Sequence, residues 1–156
     1  MNNEEPRYDF RLMFALKPSD TLNGYELVKD GVSVDLHATE AAFAEADAKG
    51  LVTGALAALA DGTLAVVVGR NTEVLDDTCP PAHYPVVAEV LDETYEYPVS
   101  ALSTVKLPVD VVAKDYRNQN LSGKLVAVKI DERGRAYVVI NEHSVLIREL
   151  FELRLA

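Results

Sequence analysis

The chain has 156 residues, 49% of them hydrophobic and 26% charged, with a formal net charge of −10. That length and balance suit one soluble domain with a substantial core, and the charge works against generic binding of phosphate backbones, which needs clustered Lys and Arg. A single cysteine excludes an internal disulfide and a thiolate zinc knuckle, and no run approaches the ~20 apolar residues of a membrane span.

The opening residues MNNEEPRYDF are acidic and polar, unlike a signal peptide, so a cytoplasmic protein with residues 1–6 as a flexible tail is expected. The next stretch, YDFRLMFALK, alternates as a half-buried strand should. Tyr8, Phe10, Leu12, Phe14 and Leu16 fall on one side, and the strand stops at Pro18. Met13 and Ala15 leave its outer side unusually apolar, which a dimer contact would cover. GYELVKDGVSVDLHA reads as a hairpin about Asp30-Gly31, pairing Leu27 with Val34 and Tyr25 with Leu36. The same register sets Glu26 against Asp35, a pair that needs water or a cation between its charges.

TEAAFAEADAKG carries the signals of a helix: Thr39 to cap it, Phe43 as the one large anchor, and Gly50 to close it. LVTGALAALADGTLAVVVG reads as a hairpin about Asp61-Gly62, pairing Leu59 with Leu64 and Leu56 with Val67. A helix over 51–60 is the alternative. YPVVAEVLDETYEYPVSAL gives two strands turning at Asp92-Glu93-Thr94, with Pro85 and Pro98 implying edge positions. KLPVDVVAKDYRNQNLSGK is a short strand followed by the longest polar connection. KLVAVKIDERGRAYVVI is a hairpin pairing Val128 with Tyr137 and Val126 with Val139. In HSVLIRELFELRLA, Leu146, Ile147, Leu150 and Leu153 recur at helical spacing, so a helix over 144–155 is expected, with alternation also tolerable.

Hairpins in series without regular helices between them predict a β-rich α+β protein. Antiparallel hairpins would form a curled sheet, barrel or sandwich, with one or two helices packed on it. No internal repeat, low-complexity tract or linker stands out, so residues 1–156 read as one domain.

Phosphate-loop, dinucleotide, nucleophile-elbow and zincin motifs do not occur. DDTCPPAHYP offers Cys79 and His83, with Asp76 and Asp77 as oxygen donors and His37 or His143 to complete a set. Two prolines make the spacer stiff and extended, however, so the stretch reads as a structural loop, with neither metal nor cofactor expected. The neighbouring aspartates also oppose thiolate formation by like-charge repulsion, against a nucleophilic Cys79. Glu89, set among apolar residues in VVAEVL, would suit general-acid chemistry if buried; the solvated face of an edge strand is the reading preferred.

Two features suit a binding surface. Tyr95 and Tyr97, two apart on one strand, present rigid rings with polar tips, with Tyr84 as a neighbour across the hairpin. The polar loop combines Tyr116 and Arg117 with the amides of Asn118 and Asn120. The expected function is therefore binding or regulation without catalysis, through a protein partner or a homodimer. A small molecule in a Tyr/Phe-lined pocket is the alternative, and an acidic DNA mimic a more distant one. Partners among nucleic acids or membranes are not expected.

Overall fold

The computed structural model describes residues 38–72 and 79–156 in full and, N-terminal to them, the backbone of residues 7–9, 14–18, 25–29, 32–33 and 36–37. It is mostly antiparallel strands, with one α-helix and two 3-10 turns among the described residues. The predicted fold class holds as a sandwich of open, curled sheets; neither five-stranded sheet closes into a barrel.

A four-stranded antiparallel sheet holds β1 (Arg7–Asp9), β2 (Phe14–Pro18), β3 (Tyr25–Lys29) and β4 (Val32–Ser33) in chain order. The single strand expected over 8–17 is therefore two, with Arg7 opposite Leu16 and Asp9 opposite Phe14; Met13 lies outside the described residues. Val28 pairs with Ser33 and Lys29 with Val32, the register expected for a turn at Asp30-Gly31. The strand stops short of Leu36, because helix α1 (Leu36–Ala48) begins there. Glu26 stands opposite Lys17, which supplies an opposite charge across the ladder; Asp35 lies outside the described residues.

Thr39 is buried inside α1 and does not cap it. The packed stripe consists of Thr39, Ala42 and Ala46, at helical spacing, and Phe43 is only half-buried. Small residues let the helix lie close to what it covers. The expected close at Gly50 is present: the Gly50 N–H donates to Asp47 O (3.0 Å) and the Leu51 N–H to Ala46 O (2.9 Å), with Leu51 fully buried behind them.

Sheet I comprises β5 (Leu56–Ala58), β6 (Leu64–Arg70), β7 (Val86–Val90), β8 (Glu93–Tyr97) and β9 (Ser103–Thr104), in spatial order β8-β7-β6-β5-β9. Sheet II comprises β10 (Val109–Asp115), β11 (Gly123–Ile130), β12 (Ala136–Ile140), β13 (His143–Leu146) and β14 (Leu150–Leu155), in order β13-β12-β11-β10-β14. The two orders are the same once each sheet is numbered from its own first strand. In both, the second strand carries a bulge, at Val68 and at Val126. In both, a two-residue turn joins the third strand to the fourth, at 91–92 and at 141–142. In both, a 3-10 turn with a buried first residue (Val99–Ala101 and Ile147–Glu149) carries the chain from the fourth strand to the fifth, which pairs with the first. The chain thus contains a topological repeat that its sequence does not display.

The 3-10 turn at Ile147–Glu149 forces the curl of sheet II. The outer strands of a flat five-stranded sheet would lie about 19 Å apart, whereas four residue steps from Leu146 to Leu150 reach at most about 14 Å fully extended, and a 3-10 turn is shorter still. Sheet II must bend until its edges approach.

Two cores result. Ala57, Ala65, Val67, Val86 and Ala88 of sheet I pack with Ala46, Leu51, Val99 and Leu102 on the helix side. Leu56, Ala58, Leu64 and Val66, on the opposite side of the same hairpin, pack with Val111, Ala113, Leu125, Val138, Ile140, Ile147, Leu150 and Leu153 of sheet II. The β5–β6 hairpin is therefore a middle layer, which is why both of its faces are apolar. The expected hairpin over 51–60 holds, but one residue out of register: Leu56 pairs with Val66 and Ala58 with Leu64. The connection has three residues, not two, and a one-residue slip exchanges the faces of a strand.

The same slip occurs at β11–β12, where Val128 meets Val138 and Lys129 meets Tyr137. Three loops (59–63, 115–119 and 131–135) share one backbone pattern. The first residue's N–H donates to the fifth's carbonyl, and the fourth's N–H to the first's carbonyl. The fourth residue, Gly62, Asn118 or Gly134, takes positive φ (89°, 61° and 77°), as this connection requires. Asp131 Oδ1 also accepts from the Arg133 and Arg135 N–H groups, and Asp115 Oδ1 from those of Arg117 and Gln119 (2.9 Å each).

The helix expected over 144–155 is overturned: the segment is β13, a 3-10 turn and β14. Its helical spacing has two local causes. The 3-10 turn separates Ile147 from Leu150, and a bulge at Phe151, where Lys114 pairs with Glu152 but Asp115 with Leu150, separates Leu150 from Leu153. Each replaces a strand's step of two by a step of three.

Two tests follow from the turns. A methyl group on Gly123 would overlap the Asn141 amide, whose Nδ2 donates to Ser122 O (2.9 Å) and whose Oδ1 accepts from the Lys124 N–H (3.2 Å). Gly123→Ala should displace that side chain and lower stability in urea unfolding by about 1–2 kcal/mol, the worth of two modest hydrogen bonds. Backbone N–H donors, from Arg135 foremost, hold the Asp131 carboxyl below its ordinary pKa. Its stabilisation is complete above the unfolded-state pKa and disappears as pH falls through the folded one. Wild type should therefore lose more stability than Asp131→Asn on acidification, measured as melting temperature against pH.

Candidate functional site

β7 is an interior strand, flanked by β6 and β8, so the edge position implied by Pro85 fails, whereas Pro98 does follow an edge strand. This overturns the solvated reading of Glu89. Glu89 pairs with Val66 and faces sheet II, with 3% of its surface exposed. Its Oε2 accepts the Ala136 N–H at 3.0 Å, and Arg148 Nε stands 3.7 Å from Oε1. Ala136 needs this partner. The β12–β13 ladder ends with Tyr137 opposite Leu146, and the next residue, Ile147, has already turned away. The carboxylate occupies the place of a missing strand, so Glu89 ties one sheet to the other.

A second tie lies at the other edge, where the Leu155 N–H donates to Gly62 O (3.0 Å) and Thr63 bridges Arg154.

The sequence-derived binding residues fall into two groups. Tyr95 and Tyr97 lie on β8, opposite Ala88 and Val86, hence on the helix side of sheet I. Their rings meet edge to face at 6.2 Å; Tyr97 packs on the core and Tyr95 is 46% exposed. Burial, and secondarily the Glu93 charge, push the Tyr97 phenol above its ordinary pKa.

Tyr116, Arg117, Asn118 and Asn120 belong to the loop at one end of sheet II, and all four are exposed. Their roles differ. Asn118 supplies the positive-φ position, and Asn120 Oδ1 accepts the Ser122 N–H (2.9 Å), so both amides serve the loop itself. Tyr116 and Arg117 are left to project. Tyr116, 61% exposed, packs against Phe151, 42% exposed, at 6.1 Å between ring centroids. The bulge in β14 turns Phe151 out of the inward row held by Leu150 and Leu153, so its exposure is not readable from residue spacing alone.

The Cys79 stretch is organised by Asn71, a residue without prominence in the sequence. Its buried Nδ2 donates to Cys79 O (2.9 Å) and Tyr84 O (3.0 Å), and its N–H to Pro85 O (2.9 Å). His83 is exposed, and Asp76 and Asp77 lie outside the described residues, among which no group of three or more His, Cys, Asp or Glu could hold a metal ion. No helix of the described residues is long and apolar enough to cross a membrane.

Compared with protein-family models, curated proteins and solved structures, the chain matches none.

The tie at Glu89 is open to measurement. Glu89→Ala orphans a buried N–H and should cost about 1–3 kcal/mol in urea unfolding, whereas Glu89→Gln keeps an acceptor and should cost clearly less. Equal stability of the alanine variant and wild type would show that the carboxylate does not tie the sheets.

Proposed function

We propose that this protein is a non-catalytic binding domain that meets a protein partner, a second copy of itself in the simplest case, through the end of sheet II that carries Tyr116, Arg117 and Phe151. The observation carrying this reading is the exposed aromatic pair on a backbone that is already fixed. Asp115 Oδ1 holds two N–H groups of the loop, and Phe151 sits on a strand anchored by Leu150 and Leu153. Aromatic rings and arginine are the side chains that most often dominate protein interfaces: the rings bury much area with few torsions to freeze, and arginine contributes a planar, multiply donating cation. A preorganised loop lowers the ordering cost further.

Light scattering after size exclusion tests this. Wild type is expected to show a concentration-dependent mass above the 17.0 kDa chain. Tyr116→Ser/Phe151→Ser should stay monomeric with an unchanged melting temperature. A monomer at every concentration, with the same cross-linked partners for wild type and variant, would remove the reading.

A further inference from the structure

The edges of the two sheets are not equivalent. The outer side of β14 is engaged by Gly62 O and the Thr63 bridge, and β9 is only Ser103–Thr104. β8 is the longer edge of sheet I, and among the described residues no backbone group pairs with its outer side. Counting the antiparallel alternation from the two-residue turn at 91–92, Thr94 and Glu96 aim their N–H and C=O groups away from β7. Such a row is a template for another strand.

The side chains on this edge narrow what that strand can be. Glu93, Tyr95 and Tyr97 alternate onto one face, with the two rings in edge-to-face contact and the Glu93 charge reaching the Tyr97 phenol. Among the described residues, Asp92, Glu93 and Glu96 make no ion pair. A carboxylate beside tyrosine faces favours a cation, through charge and through the ring quadrupole together. The same carboxylates repel an acidic strand, and the net charge of −10 steers basic partners towards the chain. β13, the corresponding edge of sheet II, carries His143, Ser144, Val145 and Leu146 and has no such row.

We propose that the free edge of β8 captures an extended arginine- or lysine-bearing peptide segment, which joins sheet I as a further strand with its cation on the Glu93, Tyr95 and Tyr97 row. This surface is separate from the Tyr116–Phe151 end, and each can fail alone.

Fluorescence anisotropy with a labelled peptide of alternating valine and arginine tests it. That peptide should bind the full chain saturably. Its valine–glutamate counterpart should bind at least about tenfold more weakly, as charge complementarity demands. A form N-methylated at alternate amides should lose binding. Glu96→Pro removes an outward N–H that an edge strand can spare, so it should abolish binding, while Glu96→Gln should largely preserve it. Glu93→Gln/Tyr95→Ser should weaken binding about tenfold, with the melting temperature held, and Tyr116→Ser/Phe151→Ser should leave it unchanged. Equal binding of the glutamate peptide, indifference to N-methylation, or no binding of the arginine peptide would overturn the proposal. If Glu96→Pro fails to fold, the N-methylated peptide and the Glu93/Tyr95 variant still decide.

Discussion

Because Leu56, Leu64 and Val66 pack into sheet II while Ala57, Ala65 and Val67 pack under α1, the β5–β6 hairpin has no face left for water. Every polar group in that layer must find a partner within the protein. The backbone does so through its ladders. Beside it on β7, Glu89, the one buried carboxylate among the described residues, does so by reaching the Ala136 N–H of the other sheet. What would be a liability in a buried layer thereby becomes the polar connection between two hydrophobic surfaces. It also fixes their relative placement more narrowly than greasy contact alone, which tolerates sliding.

The same layering accounts for the hidden repeat. Two units of identical strand order meet different demands: among the described residues, sheet I is covered on both sides and sheet II on one. β6 accordingly reads LAVVVGR with its first four residues buried, whereas β11 reads GKLVAVKI with Leu125 buried and Lys124, Val126 and Lys129 exposed. The same strand order was thus filled to different burial patterns. Sequence similarity is then lost even where bulge, turn and 3-10 crossover correspond.

Much of the local structure was legible in the residues. The hairpins, the helix and its Gly50 close, and the β-rich class follow from alternation and turn chemistry. What escaped was whatever depended on a second layer or a single inserted residue. Register at Leu56 and Val128 shifted because a three-residue loop replaced a shorter or longer one. A 3-10 turn and a bulge imitated a helix at Ile147, Leu150 and Leu153. Glu89 looked solvated because nothing local announces that another sheet covers it. For the candidate site, Tyr116 and Arg117 could be picked out by composition, but Phe151 required knowing that β14 bulges beside that loop.

The contact between Leu155 and Gly62 has a consequence for how the chain reaches this state. Its partners are separated by nearly the whole of both sheets, and β14 also completes sheet II by pairing back with that sheet's first strand. Such remote pairings bring their reward late, after the entropy of closing a long loop has been spent. A ribosome-bound chain exposing β10 through β13 would therefore carry an uncapped greasy trough until the last strand emerges, an interval in which a chaperone or a neighbouring copy has its best opportunity to intervene.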